Sequence, residues 1–288
     1  MVLYSHAKLN LYLAVLNKRK DSYHNIKTLF ERIDLKDKII LKKLPGKTIK
    51  IICRHPRVPT GKTNLVYAAA HFLQEKFGIQ QGVEIKITKN IPVGAGLGGG
   101  SSNAATVLMG LNKLWKLRLN QEKLAKIAAR IGSDVPFFIC RSSFAQGEGR
   151  GERIRELKVL KRVKLTHILV VPNIHVSTPL IYGKWDEYSG LTTPKLDVKI
   201  PPLVKKDFRL FWKPEFAFNS LEAVTTRLYP EVNRVKVALG RLNLKTILMS
   251  GSGPAVFATI SSKKEAAPIA KRLKAINKSW QVFVVETA

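Results

Sequence analysis

The stretch that most restricts this chain is Pro92-Val93-Gly94-Ala95-Gly96-Leu97-Gly98-Gly99-Gly100-Ser101-Ser102. Ahead of it, Val83, Ile85 and Ile87 alternate with Glu84, Lys86 and Thr88, the period of a strand with one apolar face. Behind it, Ala104, Ala105, Val107, Leu108, Leu111, Leu114 and Trp115 recur at helical spacing. The order is strand, glycine loop, helix. A helix start presents unpaired amides and the positive end of a dipole, and glycines let those amides approach an anion without Cβ obstruction. Ser101 and Ser102 add hydroxyls, so the stretch is read as a polyphosphate cradle rather than a plain flexible turn.

Two common phosphate loops do not fit it. Gly94, Gly96 and Gly99 satisfy G-x-G-x-x-G, but the next segment, from Asn120 to Ile131, is another amphipathic helix where a dinucleotide fold needs a strand ending in an acid. A P-loop needs lysine where Gly100 stands, and Gly61-Lys62-Thr63 has Pro56 at the place of its first glycine.

The rest of the chain supplies candidate chemistry. From Lys8, the residues Leu9, Leu11, Leu13 and Val15 alternate with Lys8, Asn10 and Tyr12, predicting a half-buried strand. A polar turn leads to Tyr23-His24, then strands are expected over 26–33, 38–44 and 48–54. Thr63 or Asn64 caps a helix whose apolar stripe is Leu65, Ala68, Ala69 and Phe72, ended by Gly78. Asp134 sits in Ser133-Asp134-Val135-Pro136-Phe137-Phe138, between a helix stop at Gly132 and an apolar segment, where a cap or turn role is the ordinary expectation. The glycines from Gly147 to Gly151 separate two short strands. Thr178 and Pro179 open a helix on which Tyr182 either packs or closes over a base. A loop is expected over 189–202, further helices start near Asn219 and Tyr229, and Gly251, Ser252 and Gly253 follow a short strand.

Composition narrows the classes. The 288 residues carry 50 Lys and Arg against 20 Asp and Glu, a net charge of +30. The cations are dispersed, with no arginine-rich tail and no aromatic-interleaved basic strand, so a solvated surface that attracts anionic substrates is expected and a specific nucleic-acid partner is not. No apolar run approaches the ~20 residues of a membrane span and no signal-peptide pattern opens the chain, so a cytoplasmic protein without a membrane partner, monomer or homodimer, is expected. Cys53 and Cys140 lack metal spacing; buried free thiols are the default and a disulfide the minority reading.

The run from Pro92 to Ser102 resembles the ATP-binding motif of the GHMP kinases, the superfamily of galactokinase, homoserine kinase and mevalonate kinase. Ala7-Lys8-Leu9-Asn10-Leu11, Ser133 to Phe138 and Ser250 to Phe257 resemble its other motifs in the same order. Tyr23-His24 resembles an element of the branch acting on 4-diphosphocytidyl-2-C-methyl-D-erythritol, with Ser22 where that branch has glycine and His6 where it has proline. The resemblance implies an α+β, two-domain fold: an N-terminal domain like ribosomal protein S5 domain 2 over 1–160 and a ferredoxin-like C-terminal domain over 161–288, with the basic run from Lys158 to Lys164 at the seam. It implies ATP as co-substrate with Mg2+, and phosphorylation of that substrate's 2-hydroxyl in the non-mevalonate isoprenoid pathway. By the same resemblance Asp134 is the base and Lys8 its partner, Asn64 and Lys89 attend the nucleotide, and Asn10, Tyr23, His24, Thr178 and Tyr182 hold the substrate. Gly251, Ser252 and Gly253 would face the phosphates. The rivals are a homoserine- or mevalonate-type kinase, which has no use for a base clamp, and a basic nucleic-acid-binding protein, which need not keep Lys8 and Asp134.

Overall fold

The computed structural model describes residues 1–188, 217–244 and 246–288. Two sheets organise it. The first is built on β1 (Val2–Lys18) and β2 (His24–Leu44), a long antiparallel pair, extended by β3 (Ile49–Cys53) and β4 (Gly82–Thr88) in the order β3-β4-β2-β1. The hairpin of β5 (Phe144–Glu148) and β6 (Arg153–Glu156) adds to β2. On one face lie α1 (Leu65–Phe77), α2 (Gly99–Leu114), α3 (Gln121–Ile131) and the short α4 (Val135–Ile139), enclosing a core that includes Leu41, Ile85, Leu73, Leu108 and Phe137.

The second sheet has four strands, β7 (Thr166–Val171), β9 (Ile247–Met249), β10 (Val256–Ile260) and β11 (Gln281–Glu286), in the order β11-β7-β10-β9. With α5 (Thr178–Tyr188), α6 (Glu222–Leu228), α7 (Pro230–Arg241) and α8 (Lys263–Ile276) it makes the βαββαβ order of a ferredoxin-like layer. One strand crosses between the halves: β8 (Phe218–Asn219) runs parallel to β1 on its free side. The fold is α+β with two layered halves, as expected.

Four local expectations are corrected. The first strand is not half-buried, because every residue from Ala7 to Val15 is covered on both faces. A bulge between Asn10 and Tyr12 breaks its alternation, so Leu9 and Leu11 pack with Tyr12 and Ala14 while Leu13 and Val15 join the core of the second sheet. The strands expected over 26–33 and 38–44 are one, since the polar residues between them pair with the first strand instead of turning. On α1 the buried face is Val66, Ala69, Ala70 and Leu73, with Leu65, Ala68 and Phe72 on its flank. The helix after the loop begins inside the glycines, at Gly99. The loop expected over 189–202 lies outside the described residues. Neither cysteine forms a disulfide, and both are half-buried.

Candidate active site

The glycine loop works by alternation. Gly94, Gly96 and Gly98 take φ of 73°, 74° and 67°, a left-handed backbone that disfavours side chains. Between them Ala95 and Leu97 point inward and are buried, so every second residue anchors the loop and every second one turns its backbone. Neighbouring segments hold it: the Lys8 amide donates to the Leu97 carbonyl (3.0 Å), the Ala255 amide to Ala95 (3.3 Å) and the Ser250 hydroxyl to Gly96 (3.1 Å). Helix α2 then starts at Gly99 with no side-chain cap and no acid in its first turn. Its first amides and its dipole are left uncompensated, the condition for holding an anion.

A cavity of 920 Å³ opens over this loop, walled by both halves of the chain. Of the residues expected at the site, Lys8, Asn10, Tyr23, His24, Asn64, Lys89, Asp134, Thr178, Tyr182, Gly251, Ser252 and the loop from Pro92 to Ser101 all reach its wall. Ser102 and Gly253 do not line it; Ser102 is turned into the α2 packing, and Gly253 sits behind Ser252 in a turn with φ of 83°.

Lys8 and Asp134 meet there. The Lys8 ammonium lies 3.4 Å from Asp134 Oδ2, with side-chain exposures of 5% and 31%. Lys8 also donates to Asn10 Oδ1 and sits 5.3 Å from the centre of the Phe30 ring. Asn10 in turn donates to the Thr28 hydroxyl (2.8 Å), which donates to the Tyr12 carbonyl (2.7 Å). This chain aims the lysine from within the sheet, so Asn10 is occupied in positioning Lys8. Asp134 stands at the N-terminal boundary of α4, yet its carboxylate makes no capping bond. The ordinary explanation of an aspartate at that place therefore fails, and the carboxylate faces the cavity.

Asn64 and Lys89 are more constrained than their places suggest. Asn64 accepts from the Val66 amide (2.8 Å) and donates to the Pro59 carbonyl (2.6 Å), the cap expected of it. Lys89 pairs with the fully buried Asp37, which also accepts from the amides of Asn90 (2.7 Å) and Ile91 (2.9 Å) and from Asn103 (2.9 Å). Asp37 thus fixes the chain at the entrance to the loop. Sequence reading missed it, since a lone Asp among lysines on a strand looks solvated.

At the far end of the cavity His24 is boxed. Tyr182 stacks on it with ring centres 5.3 Å apart and planes at 28°, Trp185 meets it edge-on at 5.5 Å, and Asp186 Oδ1 lies 2.6 Å from its Nε2. Burial, with the charge of Asp134 adding, raises the Tyr182 hydroxyl above its ordinary value, which keeps it a protonated donor. Tyr23 is 53% exposed at the rim, with the Arg150 guanidinium 5.0 Å over its ring. Thr178 shares a 2.7 Å hydrogen bond with Ser252. Arg57 and Arg150 also line the cavity; the second was signalled by a cation inside the Gly147 to Gly151 turn, whereas the first had no local signal.

Comparison with known proteins agrees with this geometry. The descriptions "GHMP kinases N terminal domain" and "GHMP kinases C terminal" match residues 64–142 and 200–278. A 4-diphosphocytidyl-2-C-methyl-D-erythritol kinase of Caldicellulosiruptor saccharolyticus is 39% identical over 274 residues, 95% of this chain and 93% of its own. One from Bacillus cereus is 42% identical over 254 residues, 88% of this chain and 86% of its own. A crystal structure of a 4-(cytidine 5'-diphospho)-2C-methyl-D-erythritol kinase superposes with a TM-score of 0.81 at 32% identity, covering 100% of both chains. The homoserine kinase of Cytophaga hutchinsonii shares the fold, with a TM-score of 0.69 at 20% identity over 100% of this chain and 94% of its own. With both halves of its fold, its glycine loop and its nearly full-length relatives in agreement, the chain belongs to the GHMP kinases, in the branch formed by the 4-diphosphocytidyl-2-C-methyl-D-erythritol kinases.

Proposed function

We propose that this chain transfers the γ-phosphoryl group of ATP to the 2-hydroxyl of 4-diphosphocytidyl-2-C-methyl-D-erythritol, and that residues 1–160 and 161–288 are the two domains that meet at the cleft. The observation that carries the reading is the Lys8–Asp134 contact, set between an uncapped helix start and an aromatic pocket in one cavity. The polyphosphate lies against the amides of Gly98 to Ser101. Asp134 accepts the proton of the attacking hydroxyl, and the Lys8 charge steadies both the carboxylate and the phosphoryl oxygens as charge develops on them. Tyr23, His24 and Tyr182 hold the cytosine, the rings by stacking and the imidazole by hydrogen bonding, and Thr178 with Ser252 closes the wall beside it.

A Mg2+ ion carried by the nucleotide would supply charge neutralisation at the phosphate oxygens, with Asp134 as the side chain that would hold it. Asp134 is the only carboxylate on the cavity wall among the described residues, and no cluster of three metal-binding side chains occurs among them. Such a wall fits a cation that keeps water and phosphate as its main ligands and takes one carboxylate from the protein. Turnover of ATP measured side by side with 4-diphosphocytidyl-2-C-methyl-D-erythritol, homoserine and mevalonate tests the reading. Activity with the cytidylyl substrate alone is expected; turnover of either small alcohol at a similar kcat/KM would overturn it.

A further inference from the structure

His24 owes its setting to α5. Tyr182, Trp185 and Asp186 are spaced to share one face of that helix, and all three touch the imidazole: one stacked, one edge-on, one through a carboxylate 2.6 Å from Nε2. The second Asp186 oxygen accepts from Lys18 Nζ at 2.6 Å. Lys18 ends β1 and His24 begins β2, so one side chain from the second half of the molecule ties down both sides of the turn that carries Tyr23. Burial alone would push the Asp186 carboxyl up, but hydrogen bonds from Lys18 and His24 outweigh it and hold the group below the ordinary carboxylate range.

An ionised carboxylate only accepts hydrogen bonds. The imidazole nitrogen facing it must therefore carry a proton, and in the neutral ring the other nitrogen is then a lone-pair acceptor. That nitrogen, Nδ1, makes no hydrogen bond to any described residue, while the ring lines the cavity. We infer that Asp186 is a positioning residue for base specificity: by fixing the His24 proton on Nε2 it leaves Nδ1 as an acceptor on the cavity wall, which an exocyclic amino group satisfies and a carbonyl oxygen does not. Cytosine presents N4–H2 where uracil presents O4. The acceptor thus favours the cytidylyl substrate by attraction and disfavours its uridylyl counterpart by setting two lone pairs against each other.

The inference rests on the reading of Tyr23, His24 and Tyr182 as a base clamp, and two measurements separate them. In the first, the ring nitrogens of His24 are observed by 15N NMR in the full chain at pH 8. The Nε2–H tautomer is expected; an Nδ1–H tautomer or an imidazolium would overturn the inference without any variant having to fold. In the second, kcat/KM is measured for the cytidylyl and uridylyl forms of the substrate in the parent protein, in Asp186→Asn and in Asp186→Glu. An amide can turn a donor toward Nε2, so Asp186→Asn should lower the cytidylyl preference by about tenfold or more. The change should fall on KM, with kcat and the KM for ATP within about twofold, and Asp186→Glu should restore part of it. If the parent protein does not discriminate between the two bases, the clamp reading itself is wrong. If the parent discriminates and Asp186→Asn keeps the same preference, the clamp stands and the role assigned to Asp186 is overturned.

Discussion

Lys8 is a buried lysine whose charge is satisfied by a carboxylate, an amide oxygen and the face of Phe30, so its geometry is fixed before any ligand arrives. Asp134→Asn keeps that shape and removes the proposed proton acceptor, and kcat should fall by roughly 10² to 10⁴ with substrate KM little changed. Lys8→Met should also lower kcat, and the double variant should be little worse than either single one, because groups that act as a unit are not additive. Steady-state kinetics of the three proteins settles it; multiplicative losses would mean independent roles. A second residue makes a quieter prediction. Burial, with Glu156 adding, pushes the Cys140 thiol up to about 12, so at pH 8.5 only about one molecule in 10³ carries the reactive thiolate. Labelling of Cys140 by iodoacetamide, followed by mass spectrometry, should be slow in the folded protein and accelerate by on the order of 10² to 10³ in denaturant.

At the scale of elements, the loop and the helix behind it make separable demands on glycine. A Cβ on Gly96 would lie 2.1 Å from the Ser250 carbonyl oxygen, at a φ of +74°, so Gly96→Ala should destabilise by several kcal/mol or prevent folding. A Cβ on Gly100, already in α2, meets nothing nearer than Leu65 Cδ1 at 4.0 Å. Gly100→Ala should therefore stabilise the protein by roughly 0.5 to 1 kcal/mol in urea melts, and should raise the KM for ATP if the phosphates approach that backbone. Sequence alone carried this loop, because alternation of Gly with Ala and Leu is local chemistry. It also carried the bounds of α3 and the αL stop at Gly78, where caps and breakers are written next to the helix they end. The long first strand was misread for a physical reason: a period of two reports a half-buried strand only while one face meets water, and here the second sheet covers the other. Asp37 and Asp186 were illegible because their partners lie 52 to 66 and 162 to 168 residues away.

The two sheets share an apolar core, and buried polar contacts are set within that junction. Glu31 of β2 is fully buried and accepts from His167 of β7 (2.8 Å) and from the Thr287 hydroxyl (2.6 Å), while His167 Nδ1 meets the Thr259 hydroxyl of β10 at 3.0 Å. Glu31→Ala strands two buried donors, each costing about 1 to 3 kcal/mol, so a loss on the order of 2 to 6 kcal/mol is expected. Urea unfolding should show it as one cooperative shift of midpoint, with Glu31→Gln losing less; a melt that separated into two steps would show that the sheets fold independently. The other junction is the free side of β1, closed by three remote segments: Leu97 accepts from the Lys8 amide, Ser250 from the Asn10 amide, and Ser220 from Val15, with β8 beside them. On the ribosome this order matters. Val15 waits 205 positions for Ser220, which at about 5 to 20 residues per second is ~10 to 40 s of synthesis. Through that interval the nascent chain carries an apolar strand whose edge from Asn10 to Val15 has no neighbour, the surface on which unfinished chains aggregate and to which holding chaperones bind.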